Sequence, residues 1–284
     1  MNNTSLQCLA PAKLNLFLHV TGRRADGYHL LQTAFQLINR SDSLHIQTRN
    51  DGILRRTNTI AGVPEHDDLI IRAARLLQNH TGCRLGADLT LDKQLPMGGG
   101  LGGGSSDAAS TLIGLNHLWG CGLKRQELMD LGLQLGADVP FFLFGHNAFA
   151  EGVGEKLQAI ETPECWYLVI EPGVQVPTPA IFSAKELTRD TKPVKITDFS
   201  SSAKKNWKND LQTVACALFP QVDEAVKWLN TYGDAKMTGS GACVFCAFFD
   251  ENSANEVLKQ VPDRWAAWVA KALSQHPMAH LVQA

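Results

Sequence analysis

A chain of 284 residues, 44% hydrophobic and 19% charged, is long enough for two packed domains and is composed like an ordinary soluble globular protein. A formal charge of −2 at pH 7 and the lack of a long basic run speak against a nucleic-acid or anionic-membrane partner. No run of about 18 apolar residues occurs and no basic segment leads into an apolar one at the start, so a cytoplasmic protein is expected.

Residues 6–20 alternate well enough for a strand, with Leu14, Leu16 and Leu18 on one side and Lys13, Asn15, Phe17 and His19 on the other. A lysine so placed ordinarily snorkels to solvent. Residues 21–29 read as a hairpin loop turning at Asp26-Gly27, and Tyr28 and His29 pair a stacking ring with a two-sided hydrogen-bonding ring. That pair suits a planar heterocycle. Two further strands are expected at 30–38 and 42–48. Residues 69–79 predict a helix with Ile70, Ala73, Ala74 and Leu77 inward, ended by His80-Thr81-Gly82, and residues 89–91 predict the next strand.

That strand delivers the chain to a run with six glycines in seven positions, 98–104, followed by Ser105 and Ser106. Glycine strips the loop of Cβ atoms and lets backbone N–H groups converge on one point, which is what a phosphate requires. A helix is expected from Ser106 onward, with Ala108, Leu112, Leu115 and Trp119 on one face, Ser105 or Ser106 as N-cap and Asp107 in the first turn. Three readings fit the run. It is a flexible linker, a dinucleotide fingerprint through Gly98, Gly100 and Gly103, or a triphosphate loop other than Walker A, because no Gly-Lys pair occurs in the chain.

A second helix is expected over 124–135, stopped by Gly136. Asp138 before Pro140 and an aromatic wall reads either as a helix N-cap or as a carboxylate held in a dry pocket as a base. Residues 148–151 and 166–170 predict strands, 171–179 an extended Pro-rich loop, and a short helix including Phe182 follows. The polar stretch 192–206 reads as a mobile excursion. Helices at 209–218 and 222–229 precede a second Gly/Ser turn at 236–242 and a strand at 243–249. Cys243 and Cys246, three apart in a strand, would point to opposite faces, so with seven cysteines in the chain they read as reduced structural thiols. A helix at 254–260 and a strand at 265–273 finish the chain.

With these segments placed, the chain resembles the GHMP kinase superfamily over nearly its whole length. The resemblance rests on Pro-Ala-Lys-Leu-Asn-Leu at 11–16, P-x-x-x-G-L-G-x-G-S-S at 96–106 and Thr-Gly-Ser-Gly-Ala at 238–242. Residues 22–30, Gly-Arg-Arg-Ala-Asp-Gly-Tyr-His-Leu, together with Gly136-Ala137-Asp138-Val139-Pro140, are similar to the branch whose acceptor is 4-(cytidine 5′-diphospho)-2-C-methyl-D-erythritol. The resemblance implies an α+β fold in two domains: 1–154, like ribosomal protein S5 domain 2 and carrying the ATP loop, and 155–284, ferredoxin-like. It implies ATP-dependent phosphorylation of that acceptor's 2-hydroxyl in the non-mevalonate isoprenoid route. ATP and Mg²⁺ would be the cofactors, with no nucleic-acid or membrane partner and a monomer or weak homodimer.

By the same resemblance Asp138 is the catalytic base and Lys13 its paired lysine. Pro96, Met97, Gly98, Gly99, Gly100, Leu101, Gly102, Gly103, Gly104, Ser105 and Ser106 would cradle the phosphates, with Leu69, next to Asp68, on the adenine side. Asn15, Tyr28, His29, Thr178, Pro179 and Phe182 would meet the cytidylyl substrate, and Ser106 is the candidate metal ligand. The alternatives are another GHMP kinase, acting on mevalonate, homoserine or a sugar, and more remotely a dinucleotide-binding oxidoreductase.

Overall fold

A computed structural model of the chain describes residues 4–60, 62–65, 67–197 and 207–283. Two long strands, β1 (Ser5–Arg23) and β2 (His29–Arg49), form an antiparallel ribbon at the start. The two strands expected at 30–38 and 42–48 are one. β2 runs on through residues 39–41 by carrying the irregularity itself: the pairing jumps from Pro11↔Ser41 to Ala12↔Ile38, so Asn39 and Arg40 bulge with no counterpart on β1. β4 (Gly86–Asp92) lies antiparallel to β2, and the short β3 (Leu54–Arg56), not foreseen, runs parallel to β4.

Four helices cover this half: α1 (Leu69–Thr81), α2 (Gly103–Leu118), α3 (Arg125–Leu133) and α4 (Val139–Phe144). Their core joins Leu37, Leu44, Ile46 and Leu89 of the sheet to Ile70, Leu77, Leu112, Leu115, Leu128 and Phe142. α2 is buried continuously from Ser106 to Asn116, as a helix sandwiched between neighbours must be. It begins three residues earlier than expected. Gly102, in the left-handed region at φ 73°, is the N-cap, and no side chain caps the helix. The last glycines of the run are therefore its first turn, and the N–H of Ser106 donates to the Gly102 carbonyl.

The hairpin of β5 (Ala148–Glu151) and β6 (Lys156–Ala159) pairs with β2. Its turn holds residue 154, so a division there separates two paired strands. The second half contains β7 (Trp166–Glu171), α5 (Thr178–Ser183), α6 (Asp210–Leu218), α7 (Pro220–Leu229), β8 (Lys236–Met237), β9 (Val244–Phe248), α8 (Glu251–Leu258) and β10 (Ala266–Leu273). Its strands are antiparallel in the order β10-β7-β9-β8, the ferredoxin-like arrangement. Helices α6 and α7 pack Leu211, Val214, Val222 and Val226 against Leu168, Ile170 and Val244. β10 also pairs with β2 through Ala272↔Ile38 and Leu273↔Leu37, so one sheet runs through both halves.

Cys243 and Cys246 occupy different core clusters on opposite faces of the sheet, as their spacing implied, and all seven cysteines are free. Of the stretch expected to be mobile, residues 198–206 lie outside the described residues. The rest is anchored. The Val194 N–H donates to Gln32 Oε1 at 2.8 Å, and Val194 and Ile196 pack against the cluster of Phe17, Ala34 and Phe149. Among the described residues no helix is long and apolar enough to cross a membrane.

Candidate active site

Lys13 does not snorkel. Midway along β1 it is 3% exposed, and its Nζ donates to Asn15 Oδ1 at 2.6 Å, lies 3.6 Å from Asp138 Oδ2 and sits 5.4 Å from the centre of the Phe35 ring. Burial pulls the Lys13 pKa below its ordinary value, and the Asp138 carboxylate pulls it back up. Asp138 stands at the N-cap position of α4 with a Pro in the first turn, yet its side chain makes no cap hydrogen bond. The N-cap reading is right for the backbone. The carboxylate, with its side chain 36% exposed, is left free to face the lysine.

Asn15 is committed inward. At 2% exposure it accepts from Lys13 and from the Gly239 N–H at 2.9 Å, and its Nδ2 donates to Thr33 Oγ1 at 2.9 Å. Thr238 completes the knot, receiving the Asn15 N–H at 3.0 Å and donating to the Gly100 carbonyl at 3.2 Å. The late Thr-Gly-Ser-Gly turn is thereby pressed against the glycine run. An added Cβ at Gly100, whose φ is 75°, would fall 2.2 Å from the Thr238 carbonyl oxygen, so any other residue there would force the loop and the late turn apart.

Two clefts open on either side of this loop. A larger one, about 760 Å³, is lined by Lys13, Asn15, Tyr28, His29, Asp138, Thr178, Pro179 and Phe182. A smaller one, about 430 Å³, is lined by Asp68, Leu69, Pro96, Met97, Lys93 and the whole glycine run. Gly98, Gly100, Gly102 and Ser105 line both, so the loop is their common wall. The structure puts Leu69 with the loop in one cleft and the Tyr28, His29 and Phe182 rings in the other. Tyr28 is 65% exposed at the rim, while the His29 and Phe182 rings are 4.9 Å apart at 33°. Thr178 Oγ1 is 2.7 Å from Ser240 Oγ, which ties the start of α5 to the second turn.

Ser106 and Asp68 differ in placement: only Asp68 lines a cleft, the smaller one, beside Leu69. Ser106 is fully buried, lines neither cleft, and its hydroxyl has no hydrogen-bond partner among the described residues. Asp68 is the N-cap of α1, accepting from the Ile70 N–H, and is paired with Arg56 at 2.6 Å.

The chain matches the model of the GHMP kinases N terminal domain over residues 68–146 and that of the GHMP kinases C terminal over 194–267. It is 64% identical over 284 residues, 99% of each chain, to a curated 4-diphosphocytidyl-2-C-methyl-D-erythritol kinase of Herminiimonas arsenicoxydans. The chain belongs to the GHMP kinase family. A second relative of that name, from Janthinobacterium sp. (strain Marseille), is 63% identical over the full length of both. A crystal structure of 4-(cytidine 5'-diphospho)-2C-methyl-D-erythritol kinase superposes with a TM-score of 0.81 at 33% identity, covering 94% of this chain and 99% of the other. The oxidoreductase alternative falls with the topology. After the glycine loop of this kinase the next strand, β5, pairs with β2 and β6, and among the described residues no later strand runs parallel beside β4 as a dinucleotide fold requires.

One group in the kinase's smaller cleft lies outside the residues expected from the sequence. Lys93 Nζ lies 2.5 Å from Asp42 Oδ2 and 2.7 Å from Asp107 Oδ2, while Asp42 Oδ1 accepts the Gln94 and Leu95 N–H groups. Burial, with Asp42 nearby, pushes the Asp107 carboxyl up to about 7 against the pull of Lys93. Lys93 stands directly between the strand and the glycine run. A cation at that point, before a phosphate-type loop without a Gly-Lys pair, was the signal available.

Proposed function

We propose that this GHMP kinase transfers the γ-phosphoryl group of ATP to the 2-hydroxyl of 4-diphosphocytidyl-2-C-methyl-D-erythritol, a step of the non-mevalonate isoprenoid route. The observation that carries the proposal is the Lys13–Asp138 pair, 3.6 Å apart, on the acceptor side of a glycine wall shared by two clefts. The full-length likeness to enzymes of that name supports the choice of acceptor.

In this reading the smaller cleft holds the nucleotide, with Leu69 against adenine and the backbone N–H groups of the glycine run on the phosphates. The larger cleft holds the acceptor, its cytosine between Tyr28 and Phe182 beside His29, and Thr178 and Pro179 on the same wall. Asn15 acts one step removed, by holding the Lys13 amine and the Gly239 turn.

Phosphoryl transfer has a loose transition state, so placement and charge stabilisation outweigh base strength. Asp138 accepts the proton of the attacking hydroxyl as the new P–O bond forms and the bond to ADP breaks. Lys13 keeps that carboxylate ionised, orients the hydroxyl and offsets charge on the phosphoryl oxygens. Phe35 and Phe142 floor the pair. A Cβ at Gly102 would sit 2.9 Å from Phe142 Cζ and 3.2 Å from Lys13 Cε, so the loop can pass this close only as glycine.

Mg²⁺ bound with ATP would neutralise phosphate charge and fix the phosphate geometry. Oxygen donors suited to it are Ser105 on the shared wall and Asp138, with the unsatisfied Ser106 hydroxyl at the next residue.

A panel of alcohols with ATP tests the reading. The cytidylyl methylerythritol should exceed mevalonate, homoserine and sugars by several orders of magnitude in kcat/KM. Preferential phosphorylation of one of those others would replace it.

A further inference from the structure

Arg189, which the residue roles above leave unused, sits behind the rings that line the acceptor cleft. Its Nε donates to His29 Nε2 at 3.1 Å. The same guanidinium donates to the carbonyls of Phe182 at 3.0 Å, Ala184 at 2.7 Å and Leu187 at 3.0 Å. It therefore holds the end of α5, which presents Phe182, and the ring that packs on Phe182, as one unit.

We infer that Arg189 is a positioning residue that selects the Nδ1–H tautomer of His29 and so sets the base preference of the acceptor cleft. An arginine has no acceptor and stays charged, so the nitrogen facing it must be bare. The imidazole proton is then on Nδ1, the ring's one remaining polar atom, on a residue that lines the cleft. Burial, then Arg189 and Arg23, lower the His29 pKa, so the ring is neutral and this single donor is what it offers. A fixed N–H complements a bare acceptor. Cytosine carries one at N3, where uracil carries an N–H; the guanidinium thus favours cytosine at a distance, without touching it.

The choice of base rests on the proposed cytidylyl acceptor; the tautomer does not. ¹⁵N-histidine NMR of the wild-type protein without ligands, with His29→Ala used only to assign the signal, should show a bare Nε2 and a protonated Nδ1. A protonated Nε2 would overturn the inference, whatever the variants do. In Arg189→Met the tautomer preference should be lost. The KM for the cytidylyl substrate should rise and the kcat/KM preference over its uridylyl analogue should fall, each by about tenfold or more, as expected for one charge-assisted hydrogen bond. The KM for ATP should stay within about twofold of wild type, since Arg189 is remote from the nucleotide cleft. Arg189→Lys keeps the charge but not the fork, so it should not rescue the preference. An unchanged preference in a variant with altered tautomer would overturn the role in base choice. If wild-type protein shows no preference for the cytidylyl compound, the proposed acceptor fails, while the ligand-free spectrum still decides the arginine's effect on His29.

Discussion

Lys13 shows how the ion pair proposed for the chemistry is made from a residue whose local pattern points the other way. Its alternation in β1 places it opposite Leu14, and nothing within that strand says which face water reaches. Its partner lies 125 residues on, at the start of α4. A folded-state pKa below the ordinary 10.5 of lysine means the charged form is penalised. That penalty is fully present below the folded pKa and vanishes as pH rises past 10.5. Lys13→Met should therefore leave stability at neutral pH unchanged or raise it, because the penalty goes and Asp138 keeps its contact with water. Turnover should instead fall by about 100-fold or more, as for loss of one transition-state donor. Urea unfolding and kcat on the same preparation check both. The wild-type kcat/KM should also lose activity on the alkaline side at a pH below 10.5, where the amine loses its proton.

At the level of elements the glycine loop is held from three directions: by Thr238 at Gly100, by Phe142 at Gly102, and by the Lys93 network at its entry and exit. Because Gly100 is part of both cleft walls, Gly100→Ala should raise the KM of ATP and of the acceptor together. A change confined to one substrate would mean that the wall is not shared. Lys93 lies between two buried carboxylates, so Lys93→Met should cost about 3 kcal/mol near pH 8. An acid whose pKa is raised in the fold penalises stability when ionised, a cost absent below 3.8 and complete above about 7. The deficit of Lys93→Met should accordingly shrink toward pH 4, which unfolding curves at both ends will show.

Much at this scale was legible because local chemistry decided it. Gly82 ends α1 in the left-handed region, and the Gly/Ser turn after Met237 separates β8 from β9. What was not legible depended on distant partners. Neither the continuity of β2 across residues 39–41 nor the Gly102 start of α2 has a signal within its own segment. The inward commitment of Asn15 is another such case, since Thr33 and Gly239 reach it from other strands and turns.

In the whole molecule, one sheet joins a half that carries the glycine loop to a half that carries α5 and the late turn, and the two clefts meet where the halves meet. The ring pair of the larger cleft itself spans them, His29 from one half and Phe182 from the other. ATP at a hundredfold excess over its Kd should stabilise the fold by about 2.7 kcal/mol. A bound acceptor should add to that rather than compete. Denaturant titration with each ligand alone and both together reads this directly, and non-additive protection would place both ligands in one cleft.

The most direct test of the paired-cleft chemistry is single-turnover transfer from ATP to the cytidylyl methylerythritol in Asp138→Asn, measured beside its ATP affinity. ATP binding within about twofold of wild type with transfer slowed by about 10²–10⁴-fold is the expected result. Transfer at the wild-type rate would remove Asp138, and with it the Lys13 pair, from the reaction.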